Sequence, residues 1–391
     1  NFKTHNDTFG HAAGDGLLRQ VARRLQSVVR GTDAIARLGG DEFALILRLD
    51  MDDAALQKYG QRIINVFQAP YTEGGQEVNV TCSAGVATFP EDASDIDGLI
   101  SNADTAMYRA KEMGKNRYVR FEASMNQAAA RRHAIEIALR AELEHGDGLS
   151  MHYQPLISAA DASLVGAEAL LRWTHAELGN VSPMEAISVA EDCGLIVALG
   201  YWTMRAACRD AASWGAGKSL RVAVNISARQ LGDPQFLQRV MDILREEGLP
   251  AHRLEIELTE TVLMENMEAG AHTLHRLSQL GIHLAIDDFG TGYSSLAYLR
   301  QLPMQRLKID RSFVKDLPQQ ENSRTIVTAI VALAHGLGLQ VTAEGVETRE
   351  QADHLIGQGC DILQGYVFAR PMPAQQFLAF QQEHRADRWM N

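Results

Sequence analysis

The feature that most limits how this chain can fold is a theme repeated through its second half, in which an apolar run ends in a polar residue and a helical stretch follows. "LRVAVNIS" reaches Asn225, "RLEIELTE" reaches Glu257 and Glu260, and "IHLAIDDFG" reaches Asp287 and Asp288. "QRLKID" carries Lys308 and Asp310, "LQVTAEGVE" carries Glu344 and Glu347, and "CDILQGYVF" carries Gln364. Strands alternating with helices at this spacing form parallel sheets, and this many units predicts closure into a barrel. In such a barrel the C-terminal strand ends share one face, where catalytic groups gather. The polar residues at those ends are therefore expected to converge.

One junction breaks the repeat. "LSMHYQPLI" and "SLVGAEALLRW" are joined only by "SAADA", too short for a parallel crossover of a dozen residues or more. The first strand should run antiparallel to the second. The second also holds an anomaly: Glu168 lies among Leu, Val, Gly and Ala, the texture of a strand buried on both faces. A carboxylate there must pair, take up a proton or bind a metal.

Ahead of the repeat, "EASMNQAAARRHAIEIALRAELEHGD" favours helix, with apolar residues at Ala134, Ile137, Ala138 and Leu143 in roughly helical spacing. It divides the 391 residues into a first domain at 1–121, a helical linker at 122–147 and a second domain at 148–391. A net charge of −12 argues against a general nucleic-acid or anionic-membrane binder. Cys82, Cys193, Cys208 and Cys360 are widely spaced, which disfavours structural zinc or a disulfide framework and suggests a reducing cytoplasm. The uncharged run from Thr325 to Ala343 contains His335, Gly336, Gly338 and Gln340. It reads as a buried helix, glycine cap and strand, not a membrane span. The chain opens as if inside a domain, so what precedes it in a parent protein, a sensory or membrane-anchoring segment included, is not legible here.

Glu168, Asn225, Glu257, Asp287, Asp288 and Glu344 are oxygen donors on separate strand ends, with Lys308 and Gln364 beside them. Hard donors of this kind suit Mg²⁺ or Mn²⁺, and two such ions are a recurring device for phosphodiester hydrolysis. Taken singly, each acid has an ordinary alternative as a helix cap, and Lys308 as a solvated lysine.

Together, Glu168-Ala169-Leu170, "HYQPL", "VNIS", "ELTE", "DDFGTGYSSL", "LKID", "AEGVE" and "QGY" resemble the EAL family of cyclic di-GMP phosphodiesterases, in order, over residues 135–385. The resemblance implies a (β/α)8 TIM-type barrel with an antiparallel first strand and hydrolysis to linear pGpG by two Mg²⁺ or Mn²⁺ ions. It makes Glu168, Asn225, Glu257 and Asp287 ligands of a first metal, Asp288 a ligand of the second, and Lys308 the residue near the attacking water. Glu344 becomes the carboxylate acting with metal and water, and Gln364 a further active-site contact. Glu260 and "DFGTGYSS" match the segment coupling dimerisation to metal binding, so a homodimer is implied. Gln154 and Arg172 fall where the family contacts the dinucleotide, and Arg172 suits a bidentate phosphate contact.

In the first domain "DAIARLGGDEFALILRL" predicts a β-hairpin whose tip carries Gly39 and Gly40 and then Asp41, Glu42 and Phe43. With "FKTHNDTFGHAAGDGLL" before it and "ADTAMYRAKEMGKNRYVRF" after it, residues 1–121 resemble the α+β, nucleotide cyclase-like GGDEF domain of diguanylate cyclases. That resemblance implies that Asn6 and Asp15 read a guanine base, Lys111 and Lys115 contact phosphates, and Asp41 and Glu42 handle Mg²⁺ and the attacking hydroxyl of bound GTP. The family often carries Arg at position 115. Arg30 and Asp33 fall at its RxxD inhibitory site, although alone they read as charges on a loop. The chain starts after the family's opening strand and a metal-binding Asp within it, so cyclase activity is not expected of this chain. Three readings stay open beside hydrolysis by the second domain: a parent that both makes and hydrolyses the dinucleotide, a first domain that is mainly a regulatory GTP sensor for its neighbour, and a receptor that binds without turnover.

Overall fold

A computed structural model describes residues 11–48, 53–73, 76–214, 220–265, 267–290 and 300–383. It divides into two compact units, Asn1–His133 and Ala134–Asn391. Helix α4 (Ala123–His145) crosses the division. On that helix Ile135, Ala138 and Leu139 are buried while Ile137 is 59% exposed. The buried stripe is thus displaced from the Ala134–Ile137 spacing, since an alanine-rich helix gives little apolar contrast from which to read its phase.

The first unit contains helices α1 (His11–Gln26), α2 (Asp53–Asn65) and α3 (Ile96–Glu112). Strands β1 (Ala34–Gly39) and β2 (Glu42–Ile46) form an antiparallel hairpin, as do β3 (Tyr71–Glu73) and β4 (Gln76–Val78), whereas β5 (Ala84–Val86) pairs in parallel with β6 (Tyr118–Arg120). Leu17, Val21 and Leu25 of α1 pack with Tyr59, Ile63, Phe67 and Tyr71 as a small core.

In the second unit β7 (Leu149–Ser158) turns directly into β8 (Leu164–His175), and the two pair antiparallel, Gln154 opposite Glu168. Then come β9 (Gly179–Val181), α5 (Pro183–Cys193), α6 (Ile196–Ala212), β10 (Arg221–Asn225), α7 (Ala228–Leu231), α8 (Phe236–Glu247) and β11 (Leu254–Thr259). They are followed by α9 (Glu260–Glu265), α10 (Met267–Gln279), β12 (His283–Phe289), β13 (Arg306–Ile309), α11 (Arg311–Val314), α12 (Glu321–Gly336) and β14 (Gln340–Ala343). The chain continues through α13 (Arg349–Gly357), β15 (Ile362–Leu363), β16 (Met372–Pro373) and α14 (Ala374–Glu383). Strands 8, 10, 11, 12, 13, 14 and 15 are parallel neighbours, and β7 pairs antiparallel with both β15 and β8, which closes an eight-stranded barrel.

Alternation decides what the barrel encloses. On β11, Leu254, Ile256 and Leu258 join the core between strands and helices, whereas Glu255 and Glu257 take the opposite, inner face. The inner face of β13 likewise carries Arg306 and Lys308. The interior is therefore polar and ordered in layers. In the lower one Arg306 Nη1 donates to Glu255 Oε1 at 2.7 Å, with Arg221 Nε 3.9 Å from Glu255 Oε2. Two residues further along the same strands lies the layer of acids around Lys308. The outer core closes on an aromatic cluster in which the Phe377 ring lies 4.6 Å from Trp214 and 5.9 Å from Tyr153.

Candidate metal centre of the barrel

Glu168 is 6% exposed and does not lack partners. Its Oε1 accepts from Asn225 Nδ2 at 2.8 Å and its Oε2 from Gln364 Nε2 at 2.6 Å. Gln364 also donates to Gln154 Oε1 at 3.1 Å, tying β15, β7 and β8 together at the strand ends. Lys308, itself 1% exposed, stands at the centre. Its Nζ lies 2.6 Å from Glu344 Oε1, 2.8 Å from Glu257 Oε2, 3.2 Å from Asp287 Oδ1 and 3.6 Å from Glu168 Oε2. Burial opposes its charge, yet Asp287, Glu168, Glu257 and Glu344 together outweigh that, so its pKa is raised well above the ordinary lysine value.

The acids carry the opposite strain. Burial raises the pKa of Glu257 well above its usual value, and Lys308 only partly offsets this. Glu344 is pushed up to about 8, again chiefly by burial against the pull of Lys308. Half-buried Asp288 is raised by burial and then by Asp287. Five carboxylates meet one ammonium, which leaves the layer short of positive charge.

Among the described residues two groups of acids are spaced to hold cations: Glu168, Glu257 and Asp287, and separately Asp287, Asp288 and Glu344, with ligand oxygens within 4.8 Å of one another in each. Glu257 Oε1 is buried without a hydrogen-bond partner, as expected of an oxygen reserved for a metal. The donor set therefore fits two hard divalent ions sharing Asp287. Adjacent strand residues normally point to opposite faces, yet Asp287 and Asp288 both serve this layer. The β12–β13 register shifts between Ile286 and Phe289, and Asp288 has φ +53°. That local bulge re-aims the second acid. Glu260, 4% exposed at the start of α9, accepts from the Gly290 amide through Oε2 at 3.3 Å. The remainder of "DFGTGYSS", from residue 291, lies outside the described residues.

Arg172 is on the inner face of β8, four residues beyond Glu168, and donates through Nη1 to the Leu171 carbonyl at 2.7 Å. The structure thus brings together Gln154, Glu168, Asn225, Glu257, Asp287, Asp288, Lys308, Glu344 and Gln364, with Arg172 nearer the mouth. Sequence reading missed Arg221, Glu255 and Arg306 beneath them. Their signal was the same alternation, two residues before Glu257 and Lys308 and four before Asn225.

In the first unit the hairpin turns at Gly40, whose φ of +49° suits glycine. Arg37 Nε and Nη2 donate to the Gly40 carbonyl at 3.0 and 2.8 Å, locking the tip that carries Gly39, Asp41 and Glu42. Arg37 and Phe43 line an open cavity of about 350 Å³ with Asp15, Arg19 and Gln26. Lys111 and Lys115 are exposed and do not line it; Asn6 lies outside the described residues. Asp33 accepts from the Arg30 and Arg48 amides at 2.7 and 3.2 Å. Those bonds, that to Arg30 first, hold its carboxyl below the usual range and fit a loop brace.

An eight-stranded barrel with an antiparallel first strand and a lysine-centred layer of acids at its strand ends defines the class: a TIM-type barrel whose acids are spaced to hold cations. The chain belongs to the EAL domain family, whose model matches residues 136–371, preceded by a diguanylate cyclase GGDEF domain matched over residues 1–117. It is 42% identical over 382 residues to the bifunctional diguanylate cyclase/cyclic di-GMP phosphodiesterase MucR of Pseudomonas aeruginosa, covering 97% of this chain and 55% of that protein. It is also 42% identical over 378 residues to the cyclic di-GMP phosphodiesterase PdeR of Escherichia coli, covering 96% of this chain and 57% of that protein. The chain thus spans about half the length of these curated relatives. The solved MucR phosphodiesterase in complex with c-di-GMP is 41% identical, with a TM-score of 0.60 over 62% of this chain and 99% of that one. Among the described residues no helix is long and apolar enough to cross a membrane.

Proposed function

We propose that the barrel hydrolyses cyclic di-GMP to linear pGpG with two Mg²⁺ or Mn²⁺ ions. The observation that carries this is the pair of acid groups sharing Asp287 around a fully buried Lys308. Bound at Glu168, Asn225, Glu257, Asp287, Asp288 and Glu344, the ions would supply Lewis acidity to the scissile phosphate and its attacking water. Glu344, with its raised pKa, is suited to exchange a proton at that water. Lys308 holds positive charge within 3.6 Å of four carboxylates, so it keeps the ligand oxygens convergent and stabilises charge developing on the phosphate. Gln364, itself held by Gln154, orients Glu168, and Arg172 receives the second phosphate. The test is chromatography for pGpG after incubation with cyclic di-GMP, in Mg²⁺ and in EDTA. Metal-dependent pGpG that disappears in Glu168→Ala is expected; binding without turnover in saturating metal would make the protein a receptor.

The open cavity beside Asp15 and Arg37 supports a second reading, that the first unit binds GTP, as Mg²⁺-GTP, and adjusts its neighbour. GTP should then change the hydrolysis rate, and no response at saturating GTP would refute it. We take the active form to be a cytoplasmic homodimer in which Glu260 couples the partner's position to metal binding, a state that light scattering tests. Four free cysteines suit a reducing compartment.

A further inference from the structure

The inner face of the β7–β8 pair carries three rungs, the first in the acid layer and two beyond it. Gln154 faces Glu168, His152 faces Leu170, and Ser150 faces Arg172. The outward residues Met151, Tyr153, Ala169 and Leu171 belong to the outer core, so the alternate set looks into the mouth of the barrel. Leu170 is only partly buried and stands outside that core. His152, also partly buried, lies directly across from it, at cross-strand contact distance.

The surroundings of the imidazole favour its uncharged form. Burial and then neighbouring Arg172 lower its pKa, while the Pro371 carbonyl acts as its hydrogen-bond acceptor, so the ring is neutral near pH 7. A flat neutral ring and an isobutyl group thus lie side by side, with a metal-binding carboxylate one rung below and a guanidinium one rung above. Successive rungs are about 6.7 Å apart along the strand. That order of acid, apolar strip and cation mirrors the order of groups in a cyclic dinucleotide: scissile phosphate, nucleoside, second phosphate.

We infer that His152, with Leu170, seats one nucleobase of the substrate by contact with its flat face, fixing which phosphate reaches the acids and which reaches Arg172. This rests on the reading of the site as one for cyclic di-GMP. His152 is in this sense a specificity residue and takes no part in the bond-breaking step.

The experiment uses the full chain. Binding of cyclic di-GMP is measured with Ca²⁺ in place of Mg²⁺, and hydrolysis of bis(p-nitrophenyl) phosphate, a phosphodiester without nucleobases, is measured with Mn²⁺. His152→Ala should weaken dinucleotide binding by about five- to a hundredfold, the range for loss of one base-stacking contact. Hydrolysis of the aryl ester should stay within about twofold, and His152→Phe, which keeps a flat ring, should recover most of the affinity. Unchanged dinucleotide binding in His152→Ala overturns the inference alone. A parallel loss on both substrates assigns His152 to structure and overturns it too. Failure of the unaltered chain to bind cyclic di-GMP at all overturns the reading of the site and takes the inference with it.

Discussion

Replacing Lys308 by methionine removes the single ammonium from a layer of five carboxylates while keeping a long, flexible chain in its place. Lys308 Nζ has four carboxylate oxygens within 3.6 Å, and both it and Glu257 are 1% exposed, so the charge is removed from acids largely shielded from solvent. Deleting one partner of a buried ion pair costs about 3–5 kcal/mol. At about 2–4 °C per kcal/mol for a unit of this size, the barrel's melting temperature in EDTA at pH 8 should fall by on the order of 6–20 °C. Divalent cations placed among the same acids restore the missing charge. Saturating Mn²⁺ should therefore raise the melting temperature of Lys308→Met by more than it raises that of the unaltered chain, while hydrolysis of cyclic di-GMP stays lost. The assay is a thermal melt of both proteins with and without metal. Equal stability in EDTA would refute the reasoning, because it would mean the acids do not depend on Lys308 for their charge balance. So would a deficit that metal leaves untouched.

Three other outcomes are expected. Because Glu344 is raised to about 8 and Glu257 and Asp288 shift in the same direction, cations must displace protons from the site. Metal affinity should climb from pH 6 to pH 8, by up to about tenfold per unit for each proton released, and a flat profile by titration calorimetry would contradict these shifts. Without metal the folded state keeps a proton on Glu344 that the unfolded chain has lost, so stability should decline as pH rises from the ordinary carboxylate range towards 8. Phe377→Ala, emptying a fully buried position against Trp214 and Tyr153, should cost about 3–5 kcal/mol in urea unfolding monitored on the barrel.

Much of this was legible in the residues because strand ends in a barrel have a fixed destination. Five residues between two apolar runs were enough to set the first strand antiparallel, since no crossover of that length exists. The acids of the motifs needed only to be counted along successive strands. Asp33 shows the limit: its RxxD spacing was visible, but only the folded loop shows its carboxylate bound by the Arg30 and Arg48 amides. Nothing in the spacing of Arg37 reveals that its guanidinium closes the hairpin tip on the carbonyl three residues later.

What the sequence by itself determined was the alternation and order of elements, and through them the barrel and the acids at its mouth, because strand periodicity and connection length are properties of local chain geometry. Only the tertiary structure decided that one lysine would meet four carboxylates from four other strand ends. It also decided that Asp288 would be turned inward by a bulge, and that a second ion layer of Arg306 and Glu255 would lie beneath the first. Those outcomes depend on closure, which brings together side chains that are far apart in the chain and leaves them no solvent to turn to. In that confined space the balance of charge decides which groups are protonated and which are free to hold a metal.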